Sequence, residues 1–320
     1  MKRILILGGT GFIGRNLVES FCHDNKYQVT ATSFSKEPFN LENITWIKAD
    51  LTRKEGIEKV FSSEFSYDIV IQAAASTSGI MDTVNRPDFH ITDNVIMNSL
   101  ILREINRLKI EHFIFFSCTT MLQPSFEPQD ESQFTGDVDP LEKYFGVGWT
   151  KVYIEKLCKF YSNMGKTRFS VIRHSNVYGP WDRYQLHNSH VCGSTITKVL
   201  SSSGEIEVWG NGEEKRDLLY IDDLIDLVKK IIHKQDSSYC LVNAGGGNLI
   251  SVTELSKTII QIAQKNINIK YNSTKPTINF SVTLDNSLAK ELFDWVPQTK
   301  LQEGLANTII FWRKNYLQLM

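Results

Sequence analysis

The stretch that most constrains this chain is RILIL followed at once by GGTGFIG, residues 3–14. A short run that is apolar after its first residue suits a strand covered on both faces. Gly8, Gly11 and Gly14 then allow a tight turn and a close backbone approach to a ligand. If a helix opens at that point, its unpaired N–H groups attract a pyrophosphate. A glycine triplet alone is a weak signal. With a strand before it and helix-forming sequence after it, the triplet reads as a dinucleotide cradle.

The rest of the first half repeats that alternation. YQVTATS (27–33), ITWIKAD (44–50), DIVIQAAA (68–75), HFIFFSC (112–118) and FSVIRHSNVY (169–178) have strand length and apolar texture. Between them, residues 16–22, 96–108 and 149–164 have helical patterning. Strands apolar throughout, separated by helices, predict an α/β fold of the Rossmann type, a doubly wound parallel sheet. After residue 180 Gly, Ser and Asn become more frequent and strands shorten (IEVWG, YCLVNAG), with helices expected at 222–233 and 252–265. We expect a dinucleotide-binding domain over 1–180, with later returns of the chain near 217–247. A smaller α/β substrate-binding lobe is expected mainly over 181–320.

Charge excludes some partners. The net charge is −1 with 22% charged residues, which gives no electrostatic reason to expect nucleic acid or a membrane surface. The five cysteines are widely spaced without a CxxC pair, so free thiols in a reducing cytoplasm are expected, and no metal site. The apolar run near the N-terminus is too short for a signal peptide or a membrane span.

The end of the second strand usually selects the dinucleotide, through an acid that bonds the adenosine ribose. Here Ser33 takes that place, with Lys36 nearby. No carboxylate repels a 2′-phosphate and no neighbouring arginine clamps one, so NAD and NADP both remain open. Asp50, ending the third strand, can accept from an adenine amino group, or it can be an ordinary helix cap. The candidate dinucleotide set is Gly8, Gly11, Phe12, Ile13, Gly14, Ser33, Asp50, Leu51, Ala73 and Ala74.

GGTGFIG, ADL, AAAS, FSCTTM, the helix around Lys151, RHSNVYGP and RDLLYIDDL follow one another over nearly the whole chain. In that order and spacing the chain resembles the extended short-chain dehydrogenase/reductases, of the NAD-dependent epimerase/dehydratase type, which modify sugars carried on nucleotide diphosphates. NVYGP, the histidine of SHV, and VWGNGEEKRDLLYIDDL make it most similar to GDP-fucose synthase and related GDP-sugar enzymes. The resemblance implies hydride exchange between a nicotinamide and a sugar carbon, commonly C4. It implies that Thr119 orients the sugar oxygen and that Lys151 holds the nicotinamide ribose. Asn176 and Arg216 would bind the diphosphate or ribose, Lys198 the nucleotide, and Trp209 would cover the base or else be packed core. A homodimer paired through helices near 94–108 and 149–163 is a further implication. The apolar positions there (Ile96, Leu100, Ile101, Val152, Leu157 and Phe160) also suit packing on the sheet.

Two departures from the family pattern stand out. The tyrosine acid/base that should precede Lys151 by four residues is Val147, which cannot carry a proton. Either a neighbour substitutes, with Tyr144 and His190 as candidates, or the enzyme is impaired, or the protein binds its ligands without chemistry. The cysteine that GDP-fucose synthase uses in epimerisation is replaced by Met121, which puts epimerisation at C3 and C5 in doubt. Cys118 is close in sequence, but strand alternation would turn it to another face from Thr119. No Asp-Glu pair follows Thr119, which weakens a 4,6-dehydratase. The expectation is therefore a nucleotide-sugar oxidoreductase at C4 of a GDP-linked sugar. The alternatives are a 4-epimerase, and a cofactor or nucleotide-sugar binding protein.

Overall fold

A computed structural model describes residues 1–77, 87–186, 189–247, 249–275 and 281–316. Seven strands form one parallel sheet: β1 (Lys2–Leu7), β2 (Tyr27–Ser33), β3 (Ile44–Lys48), β4 (Ile69–Gln72), β5 (His112–Ser117), β6 (Arg168–His174) and β10 (Tyr239–Ala244). Their order is β10-β6-β5-β4-β1-β2-β3, so the order reverses between β1 and β4. In open parallel sheets, ligands bind at the carboxyl ends of the strands beside such a reversal. Every one of Ile4, Leu5, Ile6 and Leu7 is fully buried, as the apolar run predicts. Helices α1 (Phe12–Cys22) and α6 (Ile221–Lys234) cover one face. Helices α2 (Lys54–Val60), α3 (Thr92–Leu108) and α4 (Phe145–Ser162) cover the other.

One expected strand is two. The run 169–178 breaks at Ser175, whose N–H still donates to the Ala244 carbonyl at 3.0 Å. Beyond it β7 (Asn176–Tyr178) leaves the large sheet and pairs in parallel with β9 (Lys215–Tyr220). β11 (Leu249–Ser251) completes that three-stranded sheet, and β8 (Glu205–Trp209) pairs with β12 (Asn268–Asn272). Helices α5 (Val191–Ser201), α7 (Val252–Ala263), α8 (Ser287–Phe293) and α9 (Leu301–Tyr316) complete the smaller lobe.

Buried Asp217 on β9 knits this lobe to the rest. Its carboxylate accepts from Gly246 N at 2.7 Å, Leu284 N at 3.3 Å and the Thr283 hydroxyl at 3.4 Å. All five cysteines are free. Among the described residues no helix is long and apolar enough to cross a membrane.

Candidate active site

The glycine turn is built as its sequence requires. Gly8 has φ +78°, the left-handed region, and a Cβ there would lie 2.6 Å from Ala74 Cα. A Cβ on Gly14 would lie 2.1 Å from the Gly8 carbonyl oxygen. Gly11 is the N-cap of α1; no side chain caps the helix, and its first turn has no acidic residue. The N–H groups of that turn are therefore left for an anion. Across the turn, Gln72 Oε1 accepts from Ala74 N at 3.1 Å, and Asn94 exchanges two bonds with the Ser76 backbone. These bonds fix the Ala73–Ala74 backbone against Gly8.

At the end of β2 the Ser33 hydroxyl is buried with no partner. Asp50 spends one oxygen on Thr52, at 2.9 Å to the N–H and 2.7 Å to the hydroxyl. Its other oxygen lies 4.0 Å from Arg53 Nε, which leaves acceptor capacity. Phe12 and Ile13 are half-buried against the core, and Leu51 is buried within it, so only its backbone is free for a ligand. Loss of water around Lys36, and then the charges of Arg183 and Arg15, lower its pKa. Two arginines thus approach Lys36 in space, although none neighbours it in sequence. A shaped glycine turn, an uncapped helix and an orphaned hydroxyl together fit a dinucleotide.

Lys151 lies on α4 and reaches back to β5, where Nζ donates to the Phe116 carbonyl at 2.8 Å and sits 4.7 Å from the Phe115 ring centroid. Burial lowers its pKa, against the nearby Cys118 and Glu155. One turn further along α4, Glu155 forms a buried ion pair with Arg173 of β6 at 2.7 Å and accepts from the Ser117 hydroxyl at 2.6 Å. That pair locks α4 onto the ends of β5 and β6. Thr119 follows β5, half-buried, its hydroxyl free of hydrogen bonds to other described residues. β5 ends at Ser117, so strand alternation does not govern Cys118. Its thiol lies 3.1 Å from the Thr120 hydroxyl. Met121 is fully buried in an apolar cluster with Leu122, Val152, Val282 and Leu284.

Tyr144 and Lys151 are separated. Tyr144 is the N-cap of α4, two turns or about 10 Å along the axis from Lys151. Burial raises its pKa, Arg216 opposes that, and Cys118 and Glu214 add to it. The same thiol acts on Lys151, and Tyr144 packs against the cluster of Met121 and Val152. Val147, half-buried, lies on the intervening turn. His190 caps α5 by its backbone. The residue is exposed, yet loss of water around the ring, and then Arg183, hold its pKa below the ordinary value.

The remaining residues form two groups in the smaller lobe. Asn176 of β7 donates to the Asp217 carbonyl at 3.1 Å. Arg216 of β9 pairs with Glu214 at 2.8 Å. Separately, Lys198 and Lys275 each stand 5.7 Å from the Trp209 ring centroid. Lys198 also donates to the Glu207 carbonyl at 2.7 Å, and Trp209 Nε1 to the Glu207 carboxylate at 3.1 Å.

Residues 4–245 match the NAD dependent epimerase/dehydratase family. The chain belongs to that family. It is 27% identical over 315 residues to a GDP-L-fucose synthase of Sinorhizobium fredii (strain NBRC 101917 / NGR234), covering 96% of this chain and 94% of the relative. A GDP-L-colitose synthase of Yersinia pseudotuberculosis is 24% identical over 313 residues, covering 96% of each chain. Among solved structures, the UDP-glucose 4-epimerase of Thermotoga maritima with UDP-glucose superposes with a TM-score of 0.86 at 25% identity. That comparison covers 98% of this chain and 99% of the other.

Several groups around the candidate site were not singled out from sequence. Glu155 and Arg173 fall inside a helix and a strand, where spacing gives no sign of an ion pair. Arg183 reaches the region through a crossing connection, where it donates to the Thr77 carbonyl at 2.9 Å. Only His174 had a local signal, as an ionisable residue at the carboxyl end of a core strand.

Proposed function

We propose that this chain is a nucleotide-sugar oxidoreductase that transfers hydride between a nicotinamide cofactor and C4 of a GDP-linked sugar. The observation that carries the reading is the approach of Lys151 to the end of β5, three residues before Thr119, at the same carboxyl edge of the parallel sheet as the glycine turn. Likeness to the GDP-L-fucose and GDP-L-colitose synthases over nearly their whole lengths supports a GDP-linked sugar. When bound, the cofactor supplies the hydride acceptor or donor. The protein's own residues do the rest. Gly8, Gly11, Gly14 and Asp50 hold the dinucleotide, Lys151 its nicotinamide ribose, and Thr119 the sugar oxygen. Asn176 and Arg216 hold the diphosphate, and Lys198 and Trp209 the nucleoside. Val147 stands where the family's phenol would stand.

The dinucleotide is NAD or NADP. The family is named for NAD, while Ser33 presents no carboxylate to repel a 2′-phosphate. A 4-epimerase is the second reading, favoured by the whole-length superposition on the Thermotoga enzyme.

The test is absorbance at the reduced-nicotinamide band. The protein is given each oxidised dinucleotide with GDP-, UDP- and dTDP-sugars, and the sugars are then analysed by mass spectrometry and chromatography. Reduction of dinucleotide with a GDP-sugar is the expected outcome. A C4 epimer formed without net reduction replaces the first reading by the second. Failure of calorimetry to detect binding of either dinucleotide would sink both.

A further inference from the structure

After β7 the chain turns back along α1, and residues 179–184 are fastened there by side chains of that helix. Asn16 Nδ2 donates to the Pro180 carbonyl at 2.8 Å and to the Phe12 carbonyl, at the opening of α1, at 2.9 Å. The Trp181 ring lies on the Arg15 guanidinium, with Cζ 3.1 Å from the ring centroid, and its Nε1 donates to Glu19 at 3.1 Å. Trp181 holds φ +67°, a region that bulky residues rarely adopt, so these contacts keep an unusual turn in place. Two residues later Arg183 leaves α1 and crosses to the segment after β4. There Nη1 donates to the Thr77 carbonyl at 2.9 Å and Nη2 to the Thr77 hydroxyl at 3.1 Å. That segment is the other wall of the glycine turn, since Ala74 backs Gly8 and Asn94 bonds the Ser76 backbone. Arg183 therefore bridges the two walls between which the glycine turn lies.

The turn itself lacks a cation. The N-terminus of α1 offers about half a positive charge, short of what a pyrophosphate needs. Arg15 is the nearest basic residue in sequence, but its Nε pairs with Glu19 at 3.0 Å. Arg183 has no carboxylate partner among the described residues. Of the five N–H groups of its guanidinium, Thr77 takes one from each Nη. The edge formed by Nε and a neighbouring Nη stays open, and such an edge fits two oxygens of a phosphate. The backbone behind it is fixed as well, because a Cβ on Gly193 of α5 would lie 2.4 Å from the Arg183 carbonyl oxygen.

Resting on the dinucleotide part of the oxidoreductase reading, we propose that Arg183 is the cation of the dinucleotide site, a clamp that holds the pyrophosphate against the N-terminus of α1. Thr77 keeps one edge of the guanidinium and the pyrophosphate takes the other. The clamp comes from the connection into the smaller lobe, not from the glycine motif, so a bound dinucleotide also fastens that connection, with α5 behind it, to the sheet.

The experiment compares two probes on the full chain, wild type against Arg183→Gln. ADP-ribose carries the pyrophosphate without a nicotinamide or a 2′-phosphate, so it is indifferent to the choice between NAD and NADP; its affinity is read by calorimetry. Adenosine carries no phosphate, and its binding is read from the broadening of its NMR lines. Glutamine keeps a donor for the Thr77 carbonyl and removes the charge and the fork. Arg183→Gln is expected to weaken ADP-ribose by about 10- to 100-fold, the worth of a hydrogen bond to a charged group, and to leave adenosine unchanged. Wild-type affinity for ADP-ribose in the variant overturns the proposal. Equal losses for both probes overturn it too, because they make Arg183 a support of the loop and not a binder of phosphate. Should Arg183→Gln not fold, Arg183→Lys keeps a charge without the fork. It is expected still to weaken ADP-ribose while sparing adenosine, and wild-type affinity in it overturns the proposal. If wild type binds neither ADP-ribose nor either dinucleotide, the dinucleotide reading itself fails and Arg183 falls with it.

Discussion

At the scale of single residues, backbone geometry at Gly8 and an unmatched carboxylate at Asp182 make separate demands. Gly8 combines a left-handed φ with backbone of Ala74 where a side chain would go. Gly8→Ala should cost about 1–2 kcal/mol for the conformation and about 1–3 kcal/mol for the overlap. Urea melts measure the loss, and calorimetry should show dinucleotide affinity falling with it; a variant as stable as wild type would refute the geometry. Asp182 is 4% exposed; one oxygen accepts from Arg183 N at 2.7 Å and the other has no partner. The Arg183 guanidinium does not cover it, because it reaches to Thr77. Burial pushes the Asp182 pKa up to about 7. Its folded pKa thus lies above its unfolded value, so the stability present below about pH 4 is lost as pH rises through about 7. Asp182→Asn should therefore be more stable than wild type at pH 8, by on the order of 4 kcal/mol, with a smaller gain at pH 5. Thermal midpoints at both pH values check this, and an equal gain at both would mean the carboxylate is not the cause.

The elements show why one part of the site could be read from sequence and another could not. The glycine turn, Asp50, Thr119 and Lys151 each sit at the junction of a strand with a loop or helix, and strand-to-helix alternation reveals those junctions. The break at Ser175 was hidden because 169–178 has the length of one strand, and the polar Arg173–Asn176 stretch inside it can equally be a strand end. Only the arrival of β9 beside β7, from forty residues further on, divides the run. The lock between α4 and the sheet was hidden too, since Glu155 looks like any helix glutamate. Glu155 and Arg173 are both nearly inaccessible, with Ser117 as a third partner. Arg173→Met should cost about 3–5 kcal/mol, because it leaves a buried carboxylate without its cation. Replacing both, with Glu155→Leu, should recover most of that loss. If the single and double variants melt alike in urea, the pair is not what holds α4. Because Lys151 is on the same helix, the single variant should also weaken dinucleotide binding.

For the whole molecule, the apolar residues of the two long helices divide into those that build the core and those left outside it. Ile101 is fully buried and Val152 nearly so, which is the sheet packing that their spacing allows. Ile96, Tyr153 and Phe160 are 41%, 44% and 57% exposed. Helices α3 and α4 pack side by side. Tyr153 and Phe160 lie seven residues apart, on one face of α4. An uncovered apolar stripe on two neighbouring helices suits a second copy of the chain, because a two-fold axis brings identical patches together. This is the pairing that the family resemblance implies, and the sheet leaves its surface clear. Sequence periodicity could not separate the two roles, since a helix packed on a sheet and also on a partner is apolar on both sides. We expect light scattering to give twice the 36.6 kDa chain mass. Phe160→Glu would place a carboxylate in the contact and should yield monomers that retain the wild-type melting profile at low protein concentration. A wild type that scatters as a single chain at tens of micromolar would remove the dimer. The exposed stripe would then need another partner, while the proposed site, which draws on residues of one chain, would be unaffected.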